Sequence, residues 1–253
     1  MQNNTFSPLI VGQNVVHLKS VDSTNNYLKI RFAKSAPLLE GTVIMADEQF
    51  AGRGQAANTW HSNPGENLTA SILLHPEFLR PDNQFKLNMA ISLAVYDTVK
   101  AIVGLGLKIK WPNDIYFNEK KIGGILIENI LQGPKWKHSI IGIGLNVNQV
   151  TFPSEIAKVC SIKQITGTSK DLMELLNDLC LAIQFRYNQL LAGEDLMSEY
   201  LSRLFRFNEP GAYLIEGLAK SGIIRGVGET GCLHVEVKGE IRVFNSKEIV
   251  FVL

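Results

Sequence analysis

Charge imbalance is almost missing from this chain of 253 residues, where 25 Lys and Arg stand against 24 Asp and Glu for a formal net charge of +1. No global field therefore draws it to nucleic acid or to an anionic surface, and no block of Lys and Arg forms a nucleic-acid-binding tail. Cysteine is scarce as well. Cys160, Cys180 and Cys232 lie far apart, in odd number and without a C-x-x-C pair, which suggests neither a disulfide framework nor a zinc site. Free thiols fit a reducing compartment. No apolar run reaches the about 18 residues of a membrane-spanning helix. The opening MQNNTFSPLIVG lacks the basic-then-apolar order of a signal peptide. A cytoplasmic protein is expected. Internal repeats, low-complexity tracts and a Walker A loop are absent too.

What remains is an ordinary globular balance, 45% hydrophobic and 19% charged, in a chain long enough for one large domain plus a small one. Over the first 206 residues strand and helix signals mix. Thr42–Ala46 and Asn67–Leu74 are short apolar runs that read as buried strands. Phe85–Val103 reads as a helix, with Leu87, Ile91, Ala94 and Ile102 near one face and Gly104 as its stop. Lys108–Trp111 and Ile115–Phe117 read as strands broken by the turn tripeptide Pro112-Asn113-Asp114. Gly124–Ile130 and Ser139–Val147 read as strands that pair side by side. Ser169–Leu191 reads as a helix with Thr168 and Asp171 as a capping box, and Leu196–Phe205 as a further helix. After the turn-rich Asn208-Glu209-Pro210-Gly211 the pattern changes to short strands with glycine turns. There Leu233, Val235 and Val237 alternate with polar residues, and Lys238-Gly239 turns the chain toward Ile241 and Val243. We expect two domains, 1–206 and 207–253, the second a small β-barrel docked on the first.

Five local features carry chemistry. In Asp47–Trp60, Gly52-Arg53-Gly54 lets backbone approach a ligand and Arg53 offers a forked cation to phosphate or carboxylate; a plain surface loop is the competing reading. The small and polar residues after it predict a segment that is mobile until a ligand orders it. In Lys110-Trp111-Pro112-Asn113-Asp114, the amide and carboxylate suit a ribose, a base or magnesium, or simply a hairpin turn. In Lys120–Glu128, twin glycines precede an apolar strand, and Lys121 faces either a cavity or solvent. In Gly142-Ile143-Gly144-Leu145-Asn146-Val147-Asn148, no third glycine completes a dinucleotide fingerprint. Asn146, an amide on an apolar strand, needs partners, from a ligand or from backbone. In Asp22–Leu28, Ser23 or Thr24 caps a helix whose N-terminus offers hydroxyls and N–H groups to a polar ligand atom.

Each feature is weak alone, but their order and spacing resemble the biotin–protein ligase family. The resemblance runs through Ser23-Thr24-Asn25, Asp47-Glu48-Gln49, Ala51-Gly52-Arg53-Gly54, Trp60, Asn67-Leu68, Lys110–Asp114, Lys121, Gly124–Glu128 and Gly142–Asn148. It covers the chain from about Leu18 to the end. It implies an α+β fold: a mixed-sheet catalytic domain of the class II aminoacyl-tRNA synthetase and biotin ligase type, then a C-terminal SH3-like β-barrel. It implies activation of biotin by ATP to biotinyl-5′-adenylate and transfer to a lysine of a biotin carboxyl carrier domain.

Site roles follow from the resemblance too. Ser23, Thr24, Asn25 and Gln49 would bond the ureido head, Gly124 and Leu126 would line the tail, and Gly52, Arg53, Gly54 and Gln55 would form the covering loop. The covering-loop residues Gly52 to Gln55 and Lys121 would also contact biotin; Arg53, Trp60, Lys110, Asn113, Asp114, Lys121 and Asn146 would face ATP, with Arg53 and Lys121 as the catalytic cations. Magnesium would be held mainly by ATP phosphates, with no metal site built from protein alone.

Two departures stand out. Arg-rich relatives continue the loop with more arginine, whereas Gln55-Ala56-Ala57-Asn58-Thr59 is neutral here. Faster adenylate release or weaker biotin affinity is the expectation. Repressor-type members begin with a helix-turn-helix domain, and the roughly 17 residues before the first matching strand are too few for its three helices, so no direct DNA binding is expected. The resemblance leaves a homodimer through sheet edges open. A lipoate or octanoate transferase of the same fold and a non-catalytic biotin or adenylate sensor are the rival readings.

Overall fold

The computed structural model describes residues 10–34, 38–55, 58–133, 135–156 and 158–253. The first part is built on a seven-stranded sheet in the order β1-β2-β3-β7-β6-β5-β4. Its strands are β1 (Val15–Val21), β2 (Val43–Gln49), β3 (Leu68–Leu74), β4 (Leu107–Lys110), β5 (Asp114–Phe117), β6 (Lys120–Gln132) and β7 (Lys135–Leu145). Only β1 and β2 pair in parallel; the other neighbours are antiparallel. Helix α1 (Thr24–Lys34) follows β1, α2 (Gln84–Val103) follows β3, and α3 (Ile162–Thr166), α4 (Leu172–Leu191) and α5 (Met197–Ser202) follow β7.

Period-two alternation decides which face each side chain serves. On β3, Leu68, Ala70, Ile72 and Leu74 join the main core with α2 and α4, while Leu73 turns the other way to meet Leu28 of α1. Val43 and Met45 of β2 and Ile141, Ile143 and Leu145 of β7 likewise face the main core. Leu28, fully buried against Ile44, Leu73 and Ile140, fixes α1 to the opposite face; its truncation to Ala would cost about 2–5 kcal/mol.

The expected strands and the long helices are present, with shifted ends. The β6–β7 hairpin is longer at its turn than the apolar runs suggested, because Asn129 to Gln132 continue the register against Ser139 to Lys135. Helix α4 starts at Leu172, three residues later than expected. Asp171 alone caps it, its Oδ1 accepting from the backbone N–H of Met173 and Glu174. Thr168 takes no part, and the chain has its capping box instead at Ser161 and Gln164, ahead of α3. The expected Leu196–Phe205 helix shrinks to α5. Beyond it Ile109 donates to Arg203 O and accepts from Phe205 N, so the edge of β4 captures backbone that would otherwise continue the helix.

The C-terminal part is a five-stranded antiparallel sheet, β11-β10-β9-β8-β12. It comprises β8 (Pro210–Ile215), β9 (Leu218–Val227), β10 (Leu233–Val237), β11 (Glu240–Phe244) and β12 (Ile249–Val252). Leu233, Val235 and Val237 are buried as the alternation predicts, whereas Ile241 and Val243 on β11 are exposed. No pairing of β11 with β12 closes the sheet among the described residues. Its contacts with the first part are specific. The Trp111 indole N–H donates to Gly231 O at 2.9 Å, and Phe205 bridges the rings of Tyr116 and Phe251.

Candidate active site

On the face of the sheet that carries α1, a cleft of about 150 Å³ opens. It is lined from α1, β2, the 52–60 loop, the β4–β5 turn, β6 and β7, and Ser23, Thr24, Asn25, Gln49, Trp60 and Lys121 are among its walls. Glycines on β7 make the room. A Cβ at Gly142 would lie 2.5 Å from Asn25 Oδ1, and one at Gly144 would overlap the Trp60 ring. The two glycines of the Gly142–Asn148 segment thus admit a helix N-terminus and an indole to within contact of the strand.

The polar floor is a closed network. Ser23, Thr24 and Asn25 are each no more than 3% exposed. Gln49 Oε1 accepts from Thr24 N at 2.8 Å and lies 3.0 Å from its hydroxyl. Ser71 Oγ lies 2.5 Å from Asn25 Oδ1 and 2.6 Å from Thr24 Oγ1. A hydroxyl has one proton, so Ser71 donates to the Asn25 amide oxygen and Thr24 donates either to Ser71 or to Gln49. Asn25 Nδ2 then donates to Glu128 Oε2 at 2.8 Å.

Lys121 reaches the cleft because of a backbone irregularity. Gly124, Leu126 and Glu128 share one face of β6, so strict alternation would send Lys121 to the core. The register slips instead: Ile115 pairs with Gly123 but Tyr116 pairs with Lys121. This bulge at Ile122 flips the parity, leaving Ile122 fully buried in the core and Lys121 on the cleft side. Lys121 Nζ lies 2.7 Å from Asp114 Oδ1 and 5.8 Å from the Trp60 ring centroid. Asn113 is locked to β6 from both ends, its amide donating to Ile125 O and its carbonyl accepting from Ile125 N.

The described part of the loop is a small hairpin. Trp60 N donates to Gly52 O, Gly54 N donates to Asn58 O, and Arg53 and Thr59 form an antiparallel bridge. Ala56 and Ala57, part of the neutral stretch, lie outside the described residues. Arg53 donates to Asn26 Oδ1 at 2.8 Å and to both oxygens of Glu128, at 2.9 and 3.2 Å. Its guanidinium is therefore committed to a carboxylate, not free beside Lys121 as a second bare cation. Partial burial pushes the Glu128 carboxyl upward, but hydrogen bonds from Lys29, Asn25 and Arg53 outweigh it and hold its pKa below the usual carboxylate range. The buried Trp60 Nε1 has no hydrogen-bond partner among the described residues, so it is a donor without an acceptor inside the cleft.

Of the residues expected from sequence, Ser23, Thr24, Asn25, Gln49, Arg53, Gly54, Gln55, Trp60, Asn113, Asp114, Lys121, Gly124 and Leu126 line this one cleft. Gly52 lines the adjoining outer cleft instead, where a Cβ would overlap the Trp60 carbonyl oxygen. Lys110 and Asn146 do not line it. Lys110 is tucked over the rings of Tyr116 and Phe251. Burial lowers its pKa, with Asp114 opposing and Lys121 adding to the shift. Asn146 is 4% exposed and donates to Cys160 O at 3.1 Å, so backbone supplies the partner its amide needs. Sequence reasoning gave no role to Ser71, Asn58 or Glu128. For Glu128 a signal existed, since a carboxylate on an apolar strand requires cationic partners. Ser71 gave none. Among the described residues no three His, Cys, Asp or Glu gather as a metal site.

With this geometry in hand, kinship becomes informative. The sequence model of the biotin/lipoate A/B protein ligase family matches residues 17–146. The bifunctional ligase/repressor BirA of Bacillus spizizenii is 34% identical over 186 residues, covering 72% of this chain and 56% of that protein. The chain thus spans little more than half the length of this relative. The biotin–[acetyl-CoA-carboxylase] ligase of Paracoccus denitrificans is 30% identical over 244 residues, covering 92% of this chain and 99% of that protein. The structure of biotin protein ligase from Aquifex aeolicus in complex with biotin and ATP superposes with a TM-score of 0.79 at 31% identity, covering 94% of this chain and 98% of that one. By family, by sequence and by fold, the chain belongs to the biotin/lipoate A/B protein ligase family, among its biotin protein ligases.

Proposed function

We propose that this protein joins biotin to a lysine of a carrier domain at the expense of ATP. The observation that carries this reading is the Lys121–Asp114 pair, 2.7 Å apart, in the same cleft as the buried donors and acceptors of Ser23, Thr24, Asn25 and Gln49. A urea needs both donors and acceptors, and that floor supplies them. The apolar ring system and tail then run past Gly124 and Leu126 toward Lys121.

In the first step a biotin carboxylate oxygen attacks the α-phosphorus of ATP; the new O–P bond forms as the bond to the β-phosphate oxygen breaks, and pyrophosphate leaves. Two anions must meet, so cationic stabilisation dominates. Lys121 is the cation placed for it. Arg53, engaged by Glu128, stands over the site from the loop as a partly neutralised cation, and Asn113 and Asp114 form the ATP side with Lys110 behind them. Asn146 supports that side from behind, tying β7 to the segment at Cys160. The orphaned Trp60 indole N–H and its ring flank the adenine. Magnesium, with Asp114 as the cleft carboxylate and phosphates as the remaining ligands, would neutralise the phosphate oxygens.

In the second step the carrier lysine, as its neutral amine, attacks the acyl carbon; the C–N bond forms, the acyl C–O bond to the phosphate breaks, AMP leaves, and the amine nitrogen gives up one proton to solvent. Gly52, Arg53, Gly54 and Gln55 cover the adenylate and exclude water. The same proposal treats 1–206 as the catalytic domain and 207–253 as a separate small domain, and places the protein in the reducing cytoplasm. Three free cysteines support the compartment; among the described residues no helix is long and apolar enough to cross a membrane. A net charge of +1 supports no direct contact with DNA.

The test is incubation with ATP, magnesium, labelled biotin and a carrier domain. Label on one carrier lysine, with pyrophosphate released, is expected. Pyrophosphate release with lipoate but not biotin would shift the substrate. Biotin binding without any pyrophosphate would leave a sensor. Lys121→Ala should cut adenylation by orders of magnitude.

A further inference from the structure

One carboxylate that the reaction does not use gathers more polar contacts than any reacting group. Glu128 Oε1 accepts from Lys29 Nζ at 2.5 Å and from Arg53 at 2.9 Å, and Oε2 accepts from Asn25 at 2.8 Å and from Arg53 at 3.2 Å. Three structural units meet there: helix α1, the 52–60 loop and strand β6. We propose that Glu128 is a positioning residue, a latch that clasps Arg53 and holds the loop shut over a bound acyl-adenylate. This rests on the adenylate-forming reading above.

The cavities say where the latch acts. An outer cleft of about 670 Å³ lies against the inner one. The two share Arg53, Gly54, Asn58, Thr59 and Leu126 as walls, and Glu128 lines only the outer one. The loop hairpin is tied to itself by Gly52–Trp60 and Gly54–Asn58 bonds. Across this seam to β6, the Arg53–Glu128 pair is the only ion pair or side-chain hydrogen bond among the described residues. Arg53 and its partner thus stand at the boundary between the inner cleft and the outer one. The strength is suited to a clasp. A guanidinium bound to both carboxylate oxygens is a strong form of the interaction. Arg53 is also 38% exposed, and solvent trims the gain, so substrates can still enter. The Asn25 bond sets Glu128 relative to the floor, so the loop closes in register with the pocket it covers.

The test uses the full chain and a non-hydrolysable sulfamate analogue of biotinyl-adenylate as probe, with dissociation followed after adding excess unlabelled analogue. Glu128→Gln and Arg53→Ala should each speed dissociation about tenfold or more. The double variant should be no faster than the faster single, because both cut the same contact. Lys29→Met removes only the helix end of the network and should stay within about twofold of the parental rate. A parental rate in Glu128→Gln, or equal acceleration in Lys29→Met, overturns the latch. If Glu128→Gln fails to fold, Glu128→Asp takes its place: it keeps the charge but shortens the reach to Arg53, and a parental dissociation rate there overturns the latch. An analogue that does not bind the parental protein removes both the latch and the adenylate-forming reading; one that binds while Glu128→Gln leaves dissociation unchanged removes the latch only.

Discussion

The Lys110 ammonium lies 4.9 Å from the ring centroid of Phe251, so a cation at the end of β4 is capped by an aromatic from β12, in the other sheet. Tyr116 stands on its other side at 5.2 Å, and among the described residues no carboxylate forms an ion pair with it. Phe251→Leu keeps the apolar volume but loses the ring face. The KM for ATP should rise about 2- to 30-fold, the range a cation–π contact supports, with biotin affinity unchanged. Phe251→Tyr should stay near the parental value. An unmoved KM for ATP in Phe251→Leu would show that Lys110 does not rely on the ring.

Gly144→Ala tests the fit of the indole on β7. The new Cβ would overlap the Trp60 ring, and a buried strand at the sheet centre has little freedom to give way. The ring must leave its seat, and adenylate-analogue affinity should fall about tenfold or more. The melting temperature should drop by only a few degrees, about 2–4 °C per kcal/mol in a chain of this size. Unchanged affinity would remove Trp60 from the ligand wall.

Gln55 lines the cleft as an uncharged side chain, and Arg53 is engaged by Glu128. Gln55→Arg would supply a cation the loop otherwise withholds. Adenylate dissociation should slow about tenfold, the scale of one charge-assisted hydrogen bond. A dissociation rate equal to that of the parent would mean that the neutral loop is no handicap.

His138 sets part of the acid stability. Burial, then the neighbouring His75 at 4.5 Å between ring centroids, then Lys137, lower its pKa from the usual 6.5 to about 4. Between those values the unfolded chain binds a proton that the native chain refuses. Stability from this group is therefore complete above about pH 6.5 and is lost as the pH falls toward 4. In His138→Gln the urea midpoint should change less between about pH 7 and about pH 5 than in the parent. Equal slopes for the two proteins would refute the assignment.

Much of this was readable before any coordinates. The twin apolar runs predicted β6 and β7, the glycine after Val103 marked the end of α2, and ordered short motifs gathered thirteen expected residues into one cleft. What was hidden follows from pairing and parity. No local pattern announces the bulge at Ile122, yet it decides that Lys121 faces the ligand side. Asn146 fits a ligand contact and a backbone tie equally well in one dimension; only the nearness of the Cys160 carbonyl separates them. The helix expected to Phe205 ends early because β4 offers an edge, and an edge exists only once the sheet is assembled.

The glycines of β7 have a last implication, for redesign. Any side chain added at position 142 or 144 collides with Asn25 or Trp60, so the base of the cleft behaves as a fixed die. A variant shaped for a bulkier acid would have to be carved from α1 and the loop, where the contacts are side-chain hydrogen bonds that can be rewritten one residue at a time.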